Sequence, residues 1–371
     1  MNTKTINYTV IGAGHGGKAM AAYLALMGKK VVLYNRTLAN IEIIGKRGGI
    51  DLESYEGGPH GFGEIAKVTD DMQVALDEAQ VIMVVVPSSA HAGLAKLAAP
   101  YFKDGQIVLL HPGRTCGAIE FDNILYKMES KADITIAEAE TFIYASRSDG
   151  PAQARIFRIK DAVPLAALPA NRTHRVLDAI QDVYPQFIDG VNVLHTGLNN
   201  MGAIFHPGLT ILNAGRIEST LGNFQFYIEG VTPSVARVLE ALDRERVTVA
   251  SALGLRARTA MEWLKVAYNV TGDDLNEAIH NQTGYNGIMA PSTLNHRYIF
   301  EDVPMSLVPI AALGQQYGVS VRGMDSIIRM GCIIGHTDYW RTGRTLDKLG
   351  IKGLSVSELT HYVNEGVRHD E

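Results

Sequence analysis

"VIGAGHGGKAMAAYLALMGKKVVLYN", residues 10–35, decides how this chain folds. Gly12, Gly14 and Gly17 give G-x-G-x-x-G directly after a β-branched run and at the opening of an apolar-periodic stretch, which a second apolar run, "KKVVLYN", follows. Strand, glycine turn, helix and strand in that order form the unit that binds a dinucleotide. Gly12 allows the tight turn, Gly14 removes a side chain where a pyrophosphate approaches the backbone, and Gly17 lets helix and strand pack closely. The helix N-terminus adds free N–H groups and the positive end of its dipole. A loop of structural glycines is the plain alternative.

Working outward, "QVIMVVVP", "GQIVLLHPG" and "DITIAEA" repeat the apolar, β-branched signature, each separated by enough chain for a crossover helix. Continuous apolar runs of this kind describe a buried parallel sheet. From about residue 185 the pattern changes, and "SVARVLEALDRERVTVASALG" places apolar residues three and four apart, the period of an amphipathic helix. The expected fold is α/β: a doubly wound Rossmann domain over residues 1–185, then a mostly α-helical substrate and catalytic domain over 186–371. "VYPQFIDGVNVLHTG" is the seam, because Pro185 and Gly190 interrupt both patterns.

The chain has 371 residues, is 46% hydrophobic, and carries 34 basic against 39 acidic residues for a net charge of −5. No basic stripe or polybasic tail offers itself to nucleic acid or membrane, so small-molecule partners are expected. Cys116 and Cys332 stand far apart with no Cys/His cluster, which argues against a disulfide framework or a metal site and for a reducing compartment. "MNTKTINYTV" runs straight into the glycine turn without a charged leader, and a cytoplasmic protein is expected.

Cofactor choice is read at the end of the second strand. An NAD site places an acid there to hold the ribose 2′-hydroxyl; this chain has Asn35, Arg36 and Thr37. Arg36 offers a planar cationic fork to a 2′-phosphate, so NADP(H) is favoured and NAD(H) remains possible. Pro87 and the "HPGR" segment from His111, at the ends of later strands, are expected to border the nicotinamide.

In "GLNNMGAIFHPGLTILNAGRIEST", residues 197–220, a helical period puts Asn199, Ala203, His206, Thr210 and Asn213 on one face of an apolar helix. Such a polar stripe either satisfies itself internally or lines a ligand cavity. Pro207 removes a backbone N–H and is expected to bend the helix where His206 projects.

Taken together, "GAGHGG", "NVLHTGLNNMGAIFHPGLTILNAG", "FYIEGVTPSV", "LNHRYIFEDVPMSLVPI" and "GRTLDKLG" closely resemble the opine dehydrogenases, the octopine, nopaline and carboxyethyl-norvaline dehydrogenase family, over nearly the whole chain. The resemblance implies an NAD(P)H-dependent reductive condensation of an L-amino acid with a 2-oxo acid such as pyruvate, and the reverse oxidation. It makes His206 the catalytic histidine, Asp302 its partner and Arg297 the ligand of a substrate carboxylate; Asn199 and Thr210, from the polar face, are expected as further substrate contacts, and a homodimer is the expected assembly. Arg297 and Glu301, four apart, would also suit a surface ion pair. Tyr227, Tyr285 and Tyr298 would suit either the pocket or the core. Ketopantoate reductases and glycerol-3-phosphate dehydrogenases share the N-terminal pattern but use a lysine, which the His206 helix lacks. A nonenzymatic NADP-binding sensor is the reading from another class.

Overall fold

The computed structural model describes residues 6–55 and 57–368. In chain order its strands are β1 (Asn7–Ile11), β2 (Lys30–Tyr34), β3 (Gly49–Ser54), β4 (Gly61–Glu64), β5 (Lys67–Thr69), β6 (Val81–Val84), β7 (Ile107–Leu110), β8 (Thr135–Ala139), β9 (Tyr144–Gly150), β10 (Gln153–Ile159), β11 (Val163–Leu168) and β12 (Phe187–Asp189). The main sheet has the order β12-β11-β8-β7-β6-β1-β2-β5. β6 and β7 are buried at every position, as strands covered on both faces must be, and their sequences "VIMV" and "IVLL" are correspondingly all apolar. β1 lies between β2 and β6, so the chain leaves it in opposite directions and opens a crevice at the carboxyl ends of β1 and β6.

Two features depart from a purely parallel sheet. β11 pairs antiparallel with β8, and β12 then pairs parallel with β11 through a connection containing the helix Thr173–Ile180. The chain reaches β11 by way of the β9–β10 hairpin rather than a crossover helix, which frees it from the parallel direction. The second feature is a four-stranded sheet, β4-β3-β10-β9, whose half-exposed strands carry a weaker apolar signal than the core strands. The helix His15–Leu26 packs against strands of both sheets. That explains its composition: Ala19 to Leu24 are all buried, and a helix apolar all round belongs between two layers.

The chain divides into two compact units, one from the start through Thr196 plus the chain from His361, the other Gly197–Thr360. The expected division at 185/186 thus falls inside the first unit, and the last segment returns to that unit, where the Tyr362 hydroxyl donates to Asp122 Oδ2 at 2.6 Å.

The second unit is helical. Its longest described helix, Pro233–Ala252, starts with proline at its first position and with Thr232 accepting the Val235 N–H. Glu245 on that helix accepts the N–H groups of Gly323 and Met324, tying it to the start of the helix Arg322–Ile334. Buried Arg246 bonds Asp243 Oδ1 at 2.6 Å and the Leu198 carbonyl at 2.5 Å, while Asp243 accepts the Ala260 N–H at 2.7 Å. A buried charge so fully bonded fixes the surrounding turns. Among the described residues no helix is long and apolar enough to cross a membrane.

Candidate active site

The three motif glycines are there for three different reasons. Gly12 has φ +110°, and a Cβ on it would fall 2.3 Å from the Val85 carbonyl oxygen. A Cβ on Gly17 would lie 1.8 Å from the Gly12 carbonyl oxygen. Gly14 has an ordinary φ of −74° and nothing within 4 Å of where its Cβ would be. Nothing in the protein requires glycine at 14; the open space at a helix N-terminus is what a pyrophosphate needs. The residues present therefore fit a dinucleotide.

Asn35 joins this turn to the end of β2. Its Oδ1 accepts the Ala13 N–H at 3.2 Å and its Nδ2 donates to the Thr37 carbonyl at 2.9 Å. A cavity of about 460 Å³ opens beside it, lined by Gly12, Asn35, Arg36, Thr37, Pro87 and Leu94 among others. Arg36 is exposed on this wall and makes no ion pair with a described carboxylate. The structure thus brings together the cofactor residues expected from sequence.

Sequence reasoning missed what the second sheet does here. The Ser148 N–H of β9 donates to His15 Nδ1 at 2.9 Å, and Lys18 Nζ donates to Ser148 Oγ and the Gly150 carbonyl, both at 3.1 Å. Burial, with Arg147 and Lys18 nearby, lowers the His15 pKa. The His111 expectation needs correction: its ring is buried beside Met83, Phe142 and Phe187, and burial pushes its pKa down to about 3. It is a neutral core residue, whereas Pro87 does line the cavity.

In the second unit the expected continuous helix is three: Val193–Leu198 ends before a turn at Asn199–Met201, Gly202–Leu212 follows, and Ala214–Thr220 starts after Asn213. The middle helix runs through Pro207 without interruption. Gly208 makes room there, since a Cβ on it would meet Leu239 Cδ2 of the long helix at 2.8 Å. Most of the polar stripe satisfies itself. Thr210 is fully buried with its hydroxyl donating to the His206 carbonyl at 2.6 Å, Asn213 Nδ2 donates to the Leu209 and Gly230 carbonyls, and Asn199 Oδ1 accepts the Arg258 N–H at 3.0 Å. Thr210 thus ties the backbone that carries His206, and Asn199 ties the turn before that helix to Arg258.

His206 differs. Its Nδ1 lies 2.9 Å from Asp302 Oδ2; the Asp302 side chain is fully buried and that of His206 is 20% exposed. Asp302 stands just before a π-helical turn, Val303–Leu307, where wider winding replaces an ordinary helix start. Tyr298 stacks on the imidazole with ring centroids 4.1 Å apart, Phe226 stacks behind Tyr298 at 5.3 Å, and Tyr227 stacks on Tyr285 at 4.3 Å. Tyr227 and Tyr285 are buried, while Tyr298 is the ring against the histidine. Arg297 has a half-exposed side chain whose Nε pairs with Glu301 at 3.0 Å.

The chain has close relatives among known proteins. Residues 190–334 match the NAD/NADP octopine/nopaline dehydrogenase α-helical domain, and residues 7–113 match the NAD-dependent glycerol-3-phosphate dehydrogenase N-terminus. An opine dehydrogenase of Arthrobacter sp. (strain 1C) is 39% identical over 350 residues, 94% of this chain and 96% of its own. The chain belongs to the opine dehydrogenase family. Its fold is that of octopine dehydrogenase solved with NADH and L-arginine, with a TM-score of 0.83 at 19% identity over 99% of this chain and 100% of the other. Yersinopine dehydrogenase with NADP⁺ bound gives 0.73 at 15% identity, over 97% and 98%. Opine dehydrogenases are NAD(P)-dependent oxidoreductases that reductively condense an amino acid with a 2-oxo acid, and this chain is one of them.

Proposed function

We propose that His206 and Asp302 form the acid–base pair of this condensation, that Arg297 orients a substrate carboxylate, and that Arg36 makes NADP(H) the preferred cofactor, with NAD(H) accepted. The observation that carries the reading is the His206–Asp302 contact: a buried carboxylate holds one ring nitrogen while the ring keeps some exposure. Donation from Nδ1–H to Asp302 fixes the tautomer and leaves Nε2 to accept and return a proton. When bound, the cofactor supplies the hydride. The amine and the 2-oxo carbon first join as a carbinolamine, and departure of its hydroxyl as water needs a proton, which the imidazolium provides. Asp302 stabilises that imidazolium, and the Tyr298 ring holds its plane. Arg297, half exposed beside Glu301, offers its guanidinium to a carboxylate, which orients the carbon to be reduced. A cytoplasmic homodimer belongs to the same reading.

The test is a cofactor-oxidation screen of pyruvate and other 2-oxo acids against the common L-amino acids, with NADPH and NADH in parallel and product mass as readout. Oxidation that requires both substrates is the expected result. Oxidation by a 2-oxo acid alone would instead favour a simple reductase of the ketopantoate kind.

A further inference from the structure

Asn35 stands where an NAD site has its ribose-binding acid, yet its side chain is committed to the protein: Oδ1 accepts the Ala13 N–H at 3.2 Å and Nδ2 donates to the Thr37 carbonyl at 2.9 Å. The same Thr37 carbonyl accepts the Asn40 N–H at 3.1 Å, and the Ile41 N–H donates to the Leu38 carbonyl at 2.9 Å. These bonds wind Leu38–Asn40 into a single 3₁₀ turn, and fully buried Ile41 anchors its end. Asn40 is thereby tied, through Thr37 and Asn35, to the glycine turn. It is exposed, and it lines the cavity of about 460 Å³ together with Arg36 and Thr37.

The two nicotinamide cofactors differ at one position, and they ask different things of this wall. NADPH brings a 2′-phosphate, which as a dianion only accepts hydrogen bonds, whereas NADH brings a 2′-hydroxyl whose proton calls for an acceptor. Arg36 carries donors alone and suits the phosphate. A carboxamide carries an acceptor oxygen and an NH₂ donor, exchanged by a half-turn about its last torsion, so it suits either group. The Asn40 side chain makes no hydrogen bond among those of the described residues, and being neutral it repels neither cofactor.

Resting on the cofactor reading above, we infer that Asn40 contacts the 2′ position of the bound cofactor and is the residue that lets this site take NAD(H) beside NADP(H). Nδ2 donates to the 2′-phosphate of the one, and Oδ1 accepts from the 2′-hydroxyl of the other. Arg36 sets the preference; Asn40 sets the tolerance.

The experiment measures, on the full-length protein, the Kd of NADPH and NADH by fluorescence titration and of adenosine 2′,5′-bisphosphate and 5′-AMP by calorimetry, in the parent, Asn40→Asp and Asn40→Ala. The two fragments differ only in the 2′-phosphate. Asn40→Asp keeps an acceptor, loses the donor and sets a like charge against the phosphate. NADPH and the bisphosphate are expected to weaken about tenfold or more, while NADH and AMP keep their affinity or gain. Asn40→Ala removes donor and acceptor together, so both cofactors should weaken alike, by about threefold. Unchanged NADPH binding in Asn40→Asp, or equal weakening of NADPH and NADH in it, overturns the inference and leaves Asn40 as a solvated turn residue. Should thermal unfolding show Asn40→Asp to be misfolded, Asn40→Ala decides: unchanged affinity for either cofactor overturns it. The parent's own preference is recorded separately. Equal Kd for NADPH and NADH in the parent counts against the role of Arg36 and leaves the Asn40→Asp shift as expected; a parental NADPH preference without that shift counts against Asn40 alone.

Discussion

The glycine turn and the His206–Asp302 pair are built by opposite means. At the turn, backbone does the work: a Cβ on Gly12 would fall 2.3 Å from the Val85 carbonyl oxygen and one on Gly17 1.8 Å from the Gly12 carbonyl oxygen. The pair depends on side chains 96 residues apart, brought together because the helix Gly202–Leu212 packs against the π-helical turn that Asp302 precedes. A site made from local backbone is written as a spacing, and one made from distant side chains is written only as residue identities. The same contrast predicts how each fails: a change at the turn acts through fold or binding, a change at the pair through the chemical step.

The sharpest break between them is His206→Asn. It keeps size and hydrogen-bonding capacity but removes the titrating group, so kcat should fall roughly a hundredfold or more while NADPH binding, followed by fluorescence titration, is unchanged. Asp302→Asn should lose less, because the imidazole remains and only its tautomer and imidazolium support are gone. The double variant should lose little more than His206→Asn alone. Near-parental kcat in a cofactor-binding His206→Asn protein would make this histidine a packing residue.

That difference also decides what was legible in the sequence. Gly12, Asn35, Arg36 and Thr37 line one cavity wall with Pro87, and the first four were legible because a strand, a turn and a strand set their positions locally. The stripe through Asn199, Thr210 and Asn213 left internal bonding and a ligand cavity both open, and each of the three makes a hydrogen bond within the protein. Period shows which side chains share a face; it does not show whether a carbonyl such as that of His206 is waiting for a hydroxyl. The break at Asn199–Met201 was invisible for a related reason: its turn is held by bonds such as that from the Arg258 N–H, whose partner is remote in sequence. The four-stranded sheet escaped notice because strands such as "YASRSDG" are half exposed and weakly apolar, although the all-apolar helix His15–Leu26 was a signal that something covered its second side. His111 shows the converse error, a histidine at a strand end that serves the core.

Within the turn itself, Gly14 and Gly17 separate binding from folding. Gly17→Ala drives a Cβ into the Gly12 carbonyl and should destabilise the protein by about 3 kcal/mol, since backbone on both sides leaves little room to relax. Gly14→Ala meets nothing and should leave the melting temperature unchanged, yet weaken cofactor binding by about tenfold by occupying the space a pyrophosphate needs. Thermal unfolding and cofactor titration on both variants check this. If Gly14→Ala binds cofactor like the parent, the open space there is not a phosphate site.

The smallest expected effect lies at the far end of the same wall. Arg36 is exposed, so whatever it contributes is measured against water and salt and stays well below the worth of a buried pair. Arg36→Ala should weaken NADPH about fivefold and leave NADH nearly untouched, because only NADPH carries the 2′-phosphate that loses its partner. Asn35 and Thr37 are uncharged, and the Asn35 side chain bonds both the Ala13 N–H and the Thr37 carbonyl, so they continue to shape the pocket in the variant. Raising ionic strength on the parent should narrow the NADPH preference in the same direction, whereas the His206-dependent kcat, set by a partner fully buried beside it, should respond little. Equal kcat/KM for the two cofactors in the parent would remove the 2′-phosphate role from Arg36 while leaving the glycine turn, which contacts the part common to both, as it stands.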